Sequence, residues 1–151
     1  MNLVLWRHAD AEDGAPGLSD DARRLTAKGE KQAKRMAAWL KGRVPENAEV
    51  LVSPARRAQE TAQALTSRFE TSGEIGTGAG PESVLKAAGW PRGEGTVVVV
   101  GHQPTLGQAA ALALTGSPAE WSLKKGAIWW LESRGRGDVV VRAVVAPDLL
   151  K

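Results

Sequence analysis

Thr96-Val97-Val98-Val99-Val100-Gly101-His102-Gln103-Pro104 is the stretch on which the fold turns. Five consecutive apolar or β-branched residues suit a strand covered on both faces, as in a parallel sheet flanked by helices. The run stops at Gly101 and a histidine follows at once. Beyond Pro104, Leu106, Ala109, Ala110 and Ala113 recur at helical spacing, so a helix follows the strand. Before it, Val84, Leu85 and Ala88 mark the inner side of a short helix at about 81–88. A Gly-, Ser- and Thr-rich connection over 71–80 precedes that helix, with a short strand expected at Glu74-Ile75.

The same alternation extends outward in both directions. Leu3-Val4-Leu5-Trp6 reads as a first buried strand, and residues 9–25, acidic and broken by Gly14, Pro16 and Gly17, as a loop. Thr26 is placed to cap a helix whose apolar positions are Ala33, Met36, Ala37 and Leu40, ended by Gly42 and Pro45. Glu49-Val50-Leu51-Val52 is a second strand. Ser53 and Pro54 fit the N-cap and first turn of a second helix that buries Ala58, Thr61, Ala62, Leu65 and Phe69. Residues 127–131 and 139–145 make two late strands, joined as a hairpin by Ser133-Arg134-Gly135-Arg136-Gly137-Asp138. Trp6, Trp129 and Trp130 lie in strands and are expected in the core, with Trp90 and Trp121 nearer the surface. The order predicts an α/β fold: a single-domain, three-layer α/β/α sandwich over residues 1–151. Its sheet is mainly parallel, with an antiparallel edge hairpin.

Bulk composition narrows the function classes. Of 151 residues, 42% are hydrophobic and 25% charged, which is globular composition. The absence of cysteine excludes disulfide scaffolds, thiolate metal sites and cysteine nucleophiles. Twenty Lys and Arg against 17 Asp and Glu give +3, too weak and too evenly spread for a nucleic-acid surface, and basic residues are not interleaved with aromatics. No apolar run approaches a membrane span, and the first residues lack a signal peptide's pattern, so a soluble cytoplasmic protein is expected.

In an open α/β sheet, ligands bind beyond the carboxyl ends of the strands. Arg7-His8 follows the first strand, Ser53-Pro54-Ala55-Arg56-Arg57 the second, and Gly101-His102 the third. Both histidines of the chain therefore fall at one sheet edge, with arginines from two segments and a helix N-terminus beside them. That combination suits a dianion, phosphate above all, because guanidinium forks match its oxygens. Taken singly, His8 is a strand-end histidine, Arg7 a surface charge, Ser53 a capping residue and His102 turn chemistry. Arg56 and Arg57 sit where cations oppose the helix dipole, so capping does not explain them. Their convergence on one edge is what favours the functional reading. No carboxylate cluster of metal-site type is evident, so no metal and no cofactor is expected.

Three segments carry a family resemblance: Leu5-Trp6-Arg7-His8-Ala9, then Ser53-Pro54-Ala55-Arg56-Arg57-Ala58-Gln59-Glu60-Thr61, then Val100-Gly101-His102-Gln103-Pro104. Together they resemble, in order, the signatures of the histidine phosphatase superfamily. The short chain and Arg23-Arg24-Leu25-Thr26-Ala27-Lys28-Gly29 look most like its SixA-type phosphohistidine phosphatase branch. The resemblance implies that His8 is the nucleophile, Arg7 and Arg57 (rather than Arg56) bind phosphate, and His102 is the second pocket histidine. It places Arg23 at the pocket mouth and Ser53 among the phosphate-binding residues. Ala9 stands where the wider superfamily has glycine, a departure familiar in the SixA-type branch. No aligned acid matches the inserted general acid of larger members; Asp20, Asp21 and Glu82 are the nearest carboxylates. The activity implied is metal-independent phosphatase chemistry through a covalent phosphohistidine, acting on phosphohistidine in a signalling or phosphotransfer protein. A small phosphomonoester is the alternative substrate, and a non-catalytic phosphate-binding module the alternative class.

Overall fold

The computed structural model describes residues 1–150. The valine run forms β4 (Thr96–Gly101), buried along its whole length. It lies between β1 (Asn2–Arg7) and β2 (Glu49–Val52), parallel to both, with Val4 opposite Val98 and Val50 opposite Val98 on the other side. A two-residue β3 (Glu70–Thr71) extends the parallel part beyond β2. On the other edge, β5 (Ile128–Ser133) runs antiparallel to β1, and β6 (Val139–Val145) pairs antiparallel with β5. The sheet order is β3-β2-β4-β1-β5-β6, a mainly parallel sheet with an antiparallel edge hairpin, as the alternation of elements predicted.

Strand side chains alternate between two cores. Leu3, Leu5, Leu51, Val97 and Val99 face α3 (Pro81–Ala88) and α4 (Thr105–Thr115), which supply Val84, Leu85, Ala88, Leu106, Ala109 and Ala110. Val4, Trp6, Val50, Val52, Val98 and Val100 face α1 (Ala27–Leu40) and α2 (Arg56–Gln63), which supply Met36, Ala37, Leu40, Ala58 and Ala62. Each fully buried valine contributes about 1.5–3 kcal/mol of transfer free energy, so β4 anchors both layers. Among the described residues, no helix is long and apolar enough to cross a membrane.

Several expectations need correction. Ser53 does not cap α2: the N-cap is Ala55, without a side-chain bond, and the helix begins at Arg56. The Ser53 hydroxyl is taken up elsewhere, as described below. The helix ends at Gln63, so Leu65 and Phe69 lie beyond it, half-buried against the same core. Glu74-Ile75 is not a strand: residues Gly73–Ile75 form a 3-10 turn that buries Ile75, and the extra strand is β3. The 9–25 segment is not wholly irregular, since Asp20–Ala22 form a 3-10 turn and Ala11 bridges Leu25. The first late strand is shifted toward the C-terminus, to Ile128–Ser133. Trp90 and Trp121 pack against the core, and Trp129 is as half-buried as they are.

Candidate active site

Strand pairing brings the three chemistry-bearing segments together. Arg7 is in register with Gly101, and Val52 with Val100, so the residues after β1, β2 and β4 emerge side by side. The His8 N–H donates to the Gly101 carbonyl at 3.0 Å, and the Ser53 N–H donates to the Val100 carbonyl at 3.1 Å. The imidazole centroids of His8 and His102 are 5.2 Å apart. The chain leaving His8 is pressed against α1, where a Cβ on Gly29 would meet the Asp10 carbonyl oxygen at 1.9 Å; only glycine fits that approach. Across the same gap, the Asp10 carboxylate accepts from the Thr26 hydroxyl, and that hydroxyl accepts from the Gly29 N–H at the start of α1.

A cavity of about 350 Å³ opens at this edge, lined by Arg7, His8, Asp20, Arg23, Arg57 and His102, together with Ala11, Asp13, Thr77, Gln103 and Lys125. His8 is buried and its Nδ1 lies 2.7 Å from the Ala9 carbonyl. A carbonyl only accepts, so Nδ1 carries the proton and Nε2 keeps its lone pair. Burial pushes the His8 pKa down to about 3; the Ala9 bond opposes this, while His102, Arg57 and Arg7 add to it. The ring is therefore neutral at pH 7. Burial, then Arg57, lowers His102 to about 4. Its Nε2 lies 2.7 Å from the Ser53 hydroxyl, and its Nδ1 has no protein partner.

The guanidiniums are held by their outer nitrogens. Arg7 donates through Nη1 to the Leu123 carbonyl at 2.7 Å, and burial lowers its pKa from the ordinary value. Arg57 donates through Nη1 to the Asp20 carbonyl at 2.8 Å and through Nη2 to the Asp20 carboxylate at 3.0 Å. The Nε–H of both arginines is buried without a partner. Unpartnered buried donors are rare. Two such donors, with the unpartnered His102 Nδ1 beside them, on residues lining one cavity mark a site built for an acceptor-rich anion. Thr61 ties the site together, since its buried hydroxyl accepts from the Ala9 N–H at 3.1 Å and donates to the Arg57 carbonyl at 2.8 Å.

The predicted residues fall in distinct places. His8, Arg7, Arg57, His102 and Arg23 all line the cavity. Arg56 points into solvent and pairs with Glu60. Ser53 is fully buried beside His102 and is not among the lining residues. Of the carboxylates, Asp20 lines the cavity and bridges Arg57 to Arg23; hydrogen bonding from Arg57 holds its pKa below the ordinary value. Asp21 and Glu82 are exposed and outside it. Sequence reasoning passed over Gln103, Thr77, Asp13 and Lys125. Gln103 adjoins His102, which was a usable signal. Thr77 and Lys125 arrive on connections without a recognisable pattern. Among the described residues, no cluster of three or more His, Asp or Glu side chains is arranged to hold a metal ion.

Comparison with known proteins places this geometry. The family model of the histidine phosphatase superfamily (branch 1) matches residues 3–77. Phosphohistidine phosphatase SixA of Escherichia coli strain K12 is 33% identical over 147 residues, covering 91% of this chain and 89% of that protein. The SixA homolog of Haemophilus influenzae is 36% identical over 126 residues, covering 74% of this chain and 76% of that protein. The solved structure of the protein histidine phosphatase SixA complexed with tungstate matches with a TM-score of 0.85 at 29% identity, covering 100% of both chains. The chain belongs to the histidine phosphatase superfamily, in its SixA-type branch, and is a phosphatase.

Proposed function

We propose that the protein removes the phosphoryl group from phosphohistidine on a partner protein, through a covalent intermediate on His8 and without a metal ion. The observation that carries this reading is the unprotonated Nε2 of a neutral, buried His8 in a cavity whose lining arginines have unpartnered Nε–H groups. The Nε2 lone pair attacks phosphorus in line; the new N–P bond forms as the substrate's P–N bond breaks, and the departing imidazole takes its proton from water. Water then attacks the phosphoryl group, the His8 N–P bond breaks, inorganic phosphate leaves, and the proton shed by that water neutralises the hydroxide left by the first step. Splitting the transfer in two is the advantage of a covalent route. Arg7, Arg57 and His102 stabilise charge on the equatorial oxygens, the main task in phosphoryl transfer.

Phosphohistidine is favoured over an alkyl phosphate by the state of the acids. Asp20 is held ionised by Arg57, so it is a poor proton donor, and Asp13 is exposed. An alkoxide leaves slowly without a positioned acid, worth about 10²–10⁴-fold, whereas imidazole leaves readily. The relatives named for phosphohistidine phosphatase activity support the same substrate class. The reading takes residues 1–151 as one such domain, working in the cytoplasm on a signalling or phosphotransfer protein, with neither nucleic acid nor membrane as partner. The test compares kcat/KM for a phosphohistidine protein with phosphoserine, phosphothreonine and sugar-phosphate substrates at one pH. The phosphohistidine protein should lead; a higher value for a small phosphomonoester reassigns the substrate.

A further inference from the structure

Ser53 is wholly buried, with one hydroxyl hydrogen and two neighbours for its oxygen. The Ala55 N–H donates to it at 3.2 Å, and His102 Nε2 lies 2.7 Å away. Its backbone is fixed on both sides, by the N–H bond to Val100 and by Gln59, whose side-chain amide donates to the Ser53 carbonyl at 2.8 Å. The hydroxyl is therefore aimed at the imidazole.

The neutral His102 ring has one N–H to place, and only two arrangements are open. If Nε2 held it, Nε2 would donate to Ser53, and the serine's own hydrogen would be left without an acceptor in a closed pocket. Nδ1 would then present a lone pair to any anion in the cavity. If the hydroxyl donates to Nε2 instead, Ser53 is satisfied on both sides and the ring proton sits on Nδ1, the atom that has no protein partner.

We infer that Ser53 is a positioning residue that holds His102 in its Nδ1–H form, so that the ring offers the phosphoryl oxygens a donor and not a lone pair. The inference rests on the reading of the cavity as a phosphoryl site. It assigns Ser53 a role different from direct phosphate binding. It also explains why Ser53 does not cap α2: its oxygen is committed between Ala55 and His102. Both histidines then share one tautomer for opposite purposes. In His8 the Nδ1 proton is turned to the Ala9 carbonyl to free Nε2 for attack; in His102 it is left for the substrate.

Two histidines give a spectrum of two rings, which makes the test direct. Long-range ¹H–¹⁵N correlation on histidine-labelled protein reports which nitrogen of each ring is protonated, and His8→Ala assigns the signals. At neutral pH His102 should be protonated on Nδ1 and bare on Nε2. Ser53→Ala should release this preference while the His8 signals stay in place. It should lower kcat about 10–100-fold, and cost little more once His102→Ala is present. A wild-type His102 protonated on Nε2 overturns the inference, with no variant required. So does a Ser53→Ala protein with unchanged tautomer and rate. The His102 tautomer is read from the resting protein, whereas label trapped on His8 reports whether the phosphoryl group is transferred at all, so failure of the phosphatase reading would be seen separately, in that assay.

Discussion

Arg56 and Arg57 are one residue apart and behave in opposite ways. Side chains at successive helix positions point about 100° apart, so one of them faces the cavity and the other solvent. Arg56 makes an exposed pair with Glu60, of a kind worth about 0.3–0.5 kcal/mol, and its removal should leave catalysis intact. Arg57 is buried on the cavity wall, and Arg57→Ala should lower kcat on the order of 10²–10³-fold, the scale for losing one transition-state donor. Equal losses for the two alanine variants would refute the assignment. In the sequence, it is the resemblance to the family's Ser-Pro-x-x-Arg segment that singles out Arg57. What no residue count gives is the Asp20 contact that orients it, because that carboxylate arrives on a turn 37 positions away. The histidines carry a second prediction. Burial puts both folded pKa values below the ordinary 6.5, at about 3 for His8 and about 4 for His102. Their ring-proton shifts should stay those of neutral imidazole from pH 7 down to pH 5; a midpoint near 6.5 for either would contradict the buried, neutral nucleophile.

At the scale of elements, the site depends on how α2 is locked to the end of β1. Thr61 makes that lock: its hydroxyl accepts from the Ala9 N–H and is oriented by donating to the Arg57 carbonyl one turn back in α2. Thr61→Val keeps the shape and removes both, leaving the Ala9 N–H without its acceptor. It should destabilise the fold by about 1–3 kcal/mol. Thr61→Ser should recover most of this loss. Urea denaturation of the three proteins checks the order, and a valine variant as stable as wild type would show the lock to be idle. The strong elements were legible from periodicity: β4 from its valines, α3 from Val84, Leu85 and Ala88, α1 from Thr26 onward. The weak ones were not, for identifiable reasons. Ser53-Pro54 has the composition of a helix start, but a tertiary bond to His102 outbids the capping role. β3 is two residues long, and its register is fixed by β2 and not by any pattern of its own. Trp121 looked like a surface residue in sequence, yet Gly107 lets its backbone approach α4 so closely that a Cβ there would meet the Trp121 carbonyl oxygen at 1.6 Å.

Over the whole molecule, these buried groups make folding depend on pH. Below pH 6.5 the unfolded chain protonates His8 and His102 while the folded chain does not. The unfolded state then binds more protons, and stability falls as pH falls. The slope is about 1.36 kcal/mol per pH unit for each histidine, acting from about 6.5 down to about 4 for His102 and about 3 for His8. Asp10 and Asp20, whose pKa values are lowered by Lys125 and by Arg57, are stabilising above 3.8 and lose that contribution below it. Denaturation should therefore show a loss of roughly 2–4 kcal/mol between pH 7 and pH 5, much reduced in a His8→Asn, His102→Asn double variant. A flat wild-type profile would mean that the rings are charged or exposed. The central claim, that His8 itself carries the phosphoryl group, is tested most directly by trapping it. The protein is mixed with radiolabelled phosphohistidine protein in excess EDTA and quenched within the first turnover. The expected result is a transient label on this chain, separated by size from the labelled substrate, stable in base and lost in acid, present in wild type and absent in His8→Ala. Label on this chain in His8→Ala, or label that reaches the wild-type chain only after magnesium is restored, would contradict the account.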